Sequence, residues 1–241
     1  MARDVGLMRR ARETGESVFS IYGWTRPTLS FGRNQTAVGR YNLERIRSLG
    51  IDMVRRPTGG RALLHNREVT YSVTAPAVAR IALRESYEHI NVILLAALAR
   101  LGIGATVAES QARTPQPSDL PCFAAPSRGE LISDGRKLVG SAQWREAGAL
   151  LQHGSMLIED DQSLIPLVTL SQDAAATVLQ PATLTSALGR TPVAEEVANA
   201  LVDAVREVED PDALALDESD VRGYMSAELA RFENELWTWR R

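Results

Sequence analysis

Residues 130–139 read ELISDGRKLV, and this stretch sets the fold class. Two short apolar-rich runs flank Asp134-Gly135, a pair that suits the tight primed turn of a β-hairpin. Downstream, residues 148–158 (GALLQHGSMLI) form a further strand. Upstream, residues 69–75 (VTYSVTA) are rich in β-branched and aromatic side chains and read as another. Earlier still, IDMVRR at 51–56 runs as a strand into Pro57 and a glycine pair, and strands at 18–24 and 28–33 flank the Thr25-Arg26-Pro27 turn. Helices fall between and after them. One covers 3–14; Asn42 caps LERIRSL, which stops at Gly50; and Ile90, Ile93, Leu94, Ala97, Leu98 and Leu101 repeat at helical spacing over 86–101. From 161 onward the pattern is helical, with Thr191 as N-cap and Pro192 as first residue of one helix, and a last helix at about 218–237. Strands interleaved with a few helices, joined partly by hairpins, predict an α+β fold and not a doubly wound parallel sheet.

A chain of 241 residues with 44% hydrophobic content can bury one core. We expect a single domain over 1–241, with the motifs in 1–160 and a mostly helical part in 161–241. A net charge of −3 gives no sign of nucleic-acid binding. The first seventeen residues lack a signal peptide's apolar core, and no run approaches the length of a membrane span. A soluble cytoplasmic protein, with no membrane partner, is the expectation. One cysteine, Cys122, cannot form an internal disulfide, which agrees with a reducing compartment.

Lysine and arginine total 27, and the only lysine is Lys137. Codon bias toward arginine explains the other 26 and leaves the exception unexplained. An arginine fork cannot stand in for a compact ammonium, so a lone lysine points to a point-charge role. Strand alternation puts Lys137 and Val139 on one face and Arg136 and Leu138 on the other. The competing reading is a solvated edge-strand lysine that discourages sheet pairing. Gly140-Ser141-Ala142 follows, small residues whose backbone amides can approach a ligand and hold an oxyanion.

Cys122 lies in LPCFAAPSRGEL, after a proline-rich loop at 109–121 and between Pro121 and Pro126. That setting is unlike the apolar element in which a lone cysteine acts as a small hydrophobe. A thiolate attacks thioesters readily, and a nearby cation favours the thiolate. In RRPTGGRALLHNREVTYS, Gly59-Gly60 is neither a Walker loop nor a dinucleotide fingerprint. It is flanked by Arg55, Arg56 and Arg61, and His65 follows. His153, before Gly154, is the other histidine of interest, and His89 in the long helix reads as structural. No metal-ligand spacing is present.

Three segments, RRPTGGRALLHNREVTYSV, GRKLVGSAQWREAGALLQHGSMLI and IYGWTRPTLSFGRNQ, resemble the biotin/lipoate protein ligase and acyltransferase family, in order over residues 1–160 and more loosely beyond. The resemblance implies a mixed, largely antiparallel sheet flanked by helices. The segment CFAAPSRGELISDGRKLVGSAQ is similar to the cysteine-dependent octanoyltransferases of lipoate biosynthesis in Gram-positive and related bacteria. There the residue matching Cys122 accepts the acyl group, and the residue matching Lys137 favours its thiolate. The resemblance further implies substrate binding by Arg56, Thr58, Gly59, Gly60, Arg61, His65, Gly140, Ser141, Ala142, Gln143, His153 and Gly154. It implies no cofactor beyond the donor's phosphopantetheine. The implied partners are acyl carrier protein and lipoyl domains such as glycine cleavage H protein or 2-oxoacid dehydrogenase E2 subunits, met by a monomer. His65 or His153 can assist proton transfer. The length leaves no room for the C-terminal domain of large ligases, nor for an N-terminal helix-turn-helix before residue 18. ATP-dependent lipoate ligases and octanoyl amidotransferases remain the alternatives. One departure is Arg128-Gly129, where the resemblance leads us to expect an aromatic.

Overall fold

A computed structural model describes residues 1–77, 82–109, 121–124, 126–170 and 180–241. The main sheet has six strands in the order β1-β5-β9-β8-β7-β6, and every pairing in it is antiparallel. These are β1 (Val18–Tyr22), β5 (Glu68–Pro76), β6 (Thr106–Val107), β7 (Leu131–Ser133), β8 (Arg136–Glu146) and β9 (Ala149–Leu157). A second sheet of three strands, ordered β3-β2-β4, is built from β2 (Thr28–Phe31), β3 (Asp52–Arg55) and β4 (Leu63–His65). Here β2 pairs β3 in parallel and β4 antiparallel. The α+β expectation with a largely antiparallel sheet therefore holds, and the parallel component is confined to the small sheet. The strands flanking residues 25–27 lie in different sheets. Helix α2 (Leu43–Ser48), capped by Asn42, provides the crossover that parallel β2 and β3 require.

Helices cover both faces of the main sheet. On one, α3 (Leu83–Arg100) and α6 (Ala194–Val208) lay Ile90, Leu94, Leu98, Val197 and Leu201 against Val69, Tyr71, Val139 and Met156. Each such aliphatic side chain contributes about 1.5–3 kcal/mol by leaving water. On the other face, α1 (Ala2–Thr14) packs Met8 on Ala149 and Leu151. Alternation along β5 separates the two layers: Val69 and Tyr71 face the apolar core, while Thr70, Ser72 and Thr74 are buried on the side of α1. Helix α6 starts at Ala194, two residues after the expected Pro192, with Val193 as its N-cap. The last expected helix is interrupted. Helix α7 (Glu218–Glu233) ends at Asn234, whose side chain caps a new short helix, α8 (Glu235–Thr238). Short α4 (Leu164–Val168) and α5 (Leu184–Leu188) complete the described elements.

The C-terminal segment is tied to the small sheet by Arg55, which is fully buried. Its guanidinium donates to the carbonyls of Thr238 (2.9 Å), Gly32 (2.7 Å), Gln35 (2.7 Å) and Arg241 (3.2 Å). Those bonds satisfy a charge that would otherwise be costly to bury. Among the described residues, no helix is long and apolar enough to cross a membrane.

Candidate active site

The hairpin at Asp134-Gly135 forms as expected, with both residues at positive φ (50° and 72°). Its second strand departs from the simple alternation. Ile132 pairs Lys137 and the adjacent Leu131 pairs Val139, so β8 carries one extra residue at Leu138. This bulge changes the facing of the side chains beyond it. Leu138 and Val139 both enter the main core, and Lys137 is not on the face of Val139 as predicted. Lys137 lies over Gly140 instead: a Cβ there would meet its Cε at 2.8 Å and Nζ at 3.1 Å. Lys137 is 2% exposed, so the solvated edge-strand reading fails.

A buried ammonium needs three acceptors, and Lys137 has three. Nζ donates to Glu130 Oε1 at 2.6 Å, to the carbonyl of Cys122 at 2.9 Å and to Cys122 Sγ at 3.3 Å. It also stands 4.8 Å from the Phe123 ring centroid. Cys122 is partly exposed and packs beside Phe123, Leu63 and Leu157. Its N–H donates to the carbonyl of Ala62 at 2.8 Å, joining the cysteine loop to the strand that follows the glycine pair. Residues 110–120 of the expected proline-rich loop lie outside the described residues.

Sγ faces a cavity of about 360 Å³, within the about 300–1,000 Å³ range of small-molecule sites. Arg56, Gly59, Gly60, Arg61, His65, Gly140, Ser141, Ala142, Gln143, His153 and Gly154 all line it with Cys122 and Lys137. Thr58 is buried behind the wall. The sequence reading missed Tyr22, Trp24, Leu63, Tyr87, Glu130 and Ser155, which also line it. For Glu130 there was a signal: a lysine buried beside a cysteine needs a carboxylate, and Glu130 stands between them in the chain.

Arg56 holds the glycine turn. It donates to the carbonyls of Gly59 (3.2 Å), Arg61 (2.6 Å) and Ser30 (3.1 Å), and to Ser30 Oγ (3.0 Å). Gly60 has φ +99°, and its carbonyl comes so near Gly32 that a Cβ on Gly32 would stand 1.9 Å from it. The glycine pair is therefore matched by a third glycine on β2's exit, which the sequence did not reveal.

The two histidines are fixed at both nitrogens. His153 Nδ1 lies 3.0 Å from Asp4 Oδ2, and its Nε2 lies 2.7 Å from Thr58 Oγ1. Burial disfavours its charged form and lowers its pKa despite Asp4, so the neutral ring donates to Asp4 and accepts from Thr58. Burial alone would raise Asp4, but the N-terminal ammonium and His153 outweigh it and hold the carboxylate well below its usual range. His65 Nδ1 lies 2.8 Å from Glu68 Oε1, its Nε2 lies 2.9 Å from Ser30 Oγ, and Trp24 stacks on its ring at 4.2 Å between centroids. His89 bonds Glu209 at an exposed position away from the cavity, as a structural residue would.

The β7 ladder stops at Val139, so among the described residues no strand covers that edge of β8 at Gly140–Ala142. Ser141 Oγ is 2.6 Å from Tyr71 OH, which accepts from Gln152 Nε2 at 2.9 Å. Burial pushes Tyr71 up to about 12, against the pull of those two bonds, and raises Tyr87 as well. Both phenols stay neutral at ordinary pH. No group of three or more potential metal ligands occurs among the described residues.

Two packed sheets with a thiol, an ammonium and a carboxylate at the mouth of one cavity define an α+β protein of lipoate-ligase fold. Superposition on lipoate-protein ligase A bound with ATP gives a TM-score of 0.79 at 21% identity, over 99% of this chain and 92% of that one. A bi-partite lipoate protein ligase from Thermoplasma acidophilum gives 0.76 at 20% identity, over 99% and 89%. The chain belongs to the lipoyl protein ligase A/B catalytic domain family, which matches residues 1–206. In sequence it is similar to curated relatives named octanoyltransferase LipM. The relative from Kyrpidia tusciae is 41% identical over 184 residues, which are 72% of this chain and 66% of that protein. The relative from Carboxydothermus hydrogenoformans is 44% identical over 168 residues, 67% of this chain and 61% of that protein. The chain thus spans less than two thirds of the length of these relatives.

Proposed function

We propose that this chain is an octanoyl-[acyl-carrier-protein]:protein N-octanoyltransferase. It takes octanoyl from the phosphopantetheine thioester of acyl carrier protein, holds it on Cys122 and passes it to a lysine of a lipoyl domain. The observation that carries this reading is Lys137 Nζ 3.3 Å from Cys122 Sγ at the cavity. The curated relatives, at about 40% identity, support it. The Cys122 thiolate, favoured by that ammonium, attacks the donor's carbonyl carbon. Backbone amides at the free edge of Gly140–Ala142 face the oxyanion that forms. The donor thiolate leaves, taking a proton from solvent, and the acyl chain lies against Leu63, Trp24 and Tyr87. An uncharged lysine amine then attacks the Cys122 thioester, the amide forms with loss of a proton, and the Cys122 thiolate is restored beside Lys137. We assign no proton transfer to His65 or His153, because either would first have to break a buried hydrogen bond.

Intact-protein mass spectrometry after mixing with octanoyl acyl carrier protein, without ATP, tests the proposal. A gain of about 126 Da on Cys122, absent from Cys122→Ala, is expected from thioester formation. Octanoylation of the lipoyl domain that requires ATP and survives Cys122→Ala would establish a ligase instead. An adduct formed only from an octanoylated lipoyl domain would establish an amidotransferase. Binding of either carrier with no adduct would leave an inert binder.

A further inference from the structure

We propose that Glu130 is a positioning residue whose charge limits how strongly Lys137 holds the Cys122 thiolate and so drives the acyl group onto the sulfur. The inference rests on the reading of Cys122 as an acyl carrier.

The geometry gives Glu130 two contacts, both at 2.6 Å. Oε1 accepts from Lys137 Nζ, and Oε2 accepts from the backbone N–H of Ser127 in the cysteine loop. Glu130 is 7% exposed and Lys137 2%, so water screens the pair poorly. Glu130 is itself held at the start of β7: its N–H donates to Ser127 O at 3.1 Å, and its carbonyl accepts from Ala108 N at 2.8 Å. The next carbonyl back, Gly129, accepts from Asn91 Nδ2 at 2.7 Å. The carboxylate is thus held by Lys137 and the cysteine loop, and the backbone that carries it is braced by Asn91 of α3 and by Ala108.

Charge decides what this brace does. With Sγ ionised, the trio carries two negative charges and one positive, with the carboxylate within about 6 Å of the sulfur. With Sγ acylated, what remains is a neutral ammonium–carboxylate pair. The thiolate attacks the donor carbonyl, the carbonyl–sulfur bond of the donor breaks, and the negative charge departs on the donor thiol. Glu130 opposes the anion before this step and is satisfied after it, so it favours the acylated side. A less stabilised thiolate is also the stronger nucleophile and the poorer leaving group, which protects the thioester from water. Other groups facing the sulfur are Arg56, from the β3–β4 turn, and Tyr87, from α3. Arg56 is held by four acceptors and Tyr87 is neutral, so neither reverses this sign.

Glu130→Gln keeps the size and one acceptor oxygen for Lys137, removes the charge, and gives up the acceptor for the Ser127 N–H. Two readouts test it. The pH profile of Cys122 alkylation by iodoacetamide should move to lower pH by about one unit. The equilibrium of octanoyl exchange between Cys122 and a small donor thiol should move about tenfold toward the octanoylated donor and the free Cys122 thiolate. A Glu130→Gln protein matching wild type in both overturns the proposal. If Glu130→Gln does not fold, Glu130→Asp keeps the charge and should retain the wild-type alkylation profile; an acid shift of about one unit there also overturns it. Absence of any acyl adduct on wild-type Cys122 refutes the transferase reading, and the alkylation profile still reads the effect of Glu130 on the sulfur.

Discussion

On one wall of the cavity, His65 and His153 are each engaged at both ring nitrogens by buried partners. On the other, the sulfur of Cys122 takes a single side-chain hydrogen bond among the described residues and lines the cavity beside Leu63 and Phe123. The residues that look reactive by type are immobilised, and the residue that looks like a small hydrophobe is free to react. Each histidine chain ends on a structural hydroxyl. Asp4–His153–Thr58 reaches the residue before Gly59-Gly60, and Glu68–His65–Ser30 reaches the serine that Arg56 also grips. Both chains fix the glycine turn, and the turn and the cysteine loop are joined at Ala62. A hydroxyl–imidazole–carboxylate chain here builds a wall, and the proposed chemistry depends on the thiol opposite.

The largest way to break this contrast is Lys137→Arg. A planar fork cannot serve a carboxylate, a carbonyl and a sulfur from one point. Acyl transfer should fall on the order of a hundredfold with the melting temperature little changed. A rate within twofold of wild type would remove Lys137 from the mechanism. Gly140→Ala is subtler. Its Cβ would stand 2.8 Å from Lys137 Cε and 3.2 Å from Phe123 Cε2, so the ammonium is pushed from its acceptors. A rate loss of about tenfold, with a stability loss of about 1–3 kcal/mol, is expected. The histidines should behave in the opposite way. His153→Phe takes one partner from Asp4, which keeps Tyr22 OH at 3.1 Å and the N-terminal ammonium at 3.8 Å, and removes the partner of the Thr58 hydroxyl, and should cost about 1–3 kcal/mol in a denaturant titration. Its rate of Cys122 acylation by a small thioester, measured well below the melting point, should stay within a few fold of wild type. A hundredfold rate loss with unchanged stability would make His153 an acid–base group and dissolve the contrast.

Much of the reactive wall was legible because its signals are chemical. The lone lysine, the cysteine between prolines and the small residues at 140–142 each stand out from their surroundings. The main-sheet strands were legible because their pattern and turns are local. The bulge at Leu138 was not, since a register shift depends on which β7 residue stands opposite, and ELISDGRKLV alternates well enough without it. The second sheet was equally hidden: β2 finds β3 in parallel only through the crossover over α2. Asp4 and Thr58 were unreadable as partners because the chain brings them to His153 from 149 and 95 residues away. Gly32 carried no local mark, as its neighbour is the carbonyl of Gly60.

The smallest expected effect sharpens the comparison through pH. His153 has a folded pKa below its ordinary value of 6.5, because burial disfavours the imidazolium more than Asp4 favours it. The unfolded chain therefore takes up a proton as pH falls through about 6.5 while the folded chain does not, and stability drops with falling pH, by at most about 1.4 kcal/mol per unit for one group. Asp4, held low, begins to matter only near the ordinary aspartate value of 3.8, so the window from about 6.5 down to about 5 separates His153 from Asp4. The midpoint of urea unfolding should decline across that window in the wild type. In His153→Phe the decline should shrink by this residue's share, leaving whatever the other two histidines contribute. An equal decline in both proteins would mean that His153 takes up its proton in the folded state, as a ring open to the cavity would. The wall would then be less fixed than its hydrogen bonds imply.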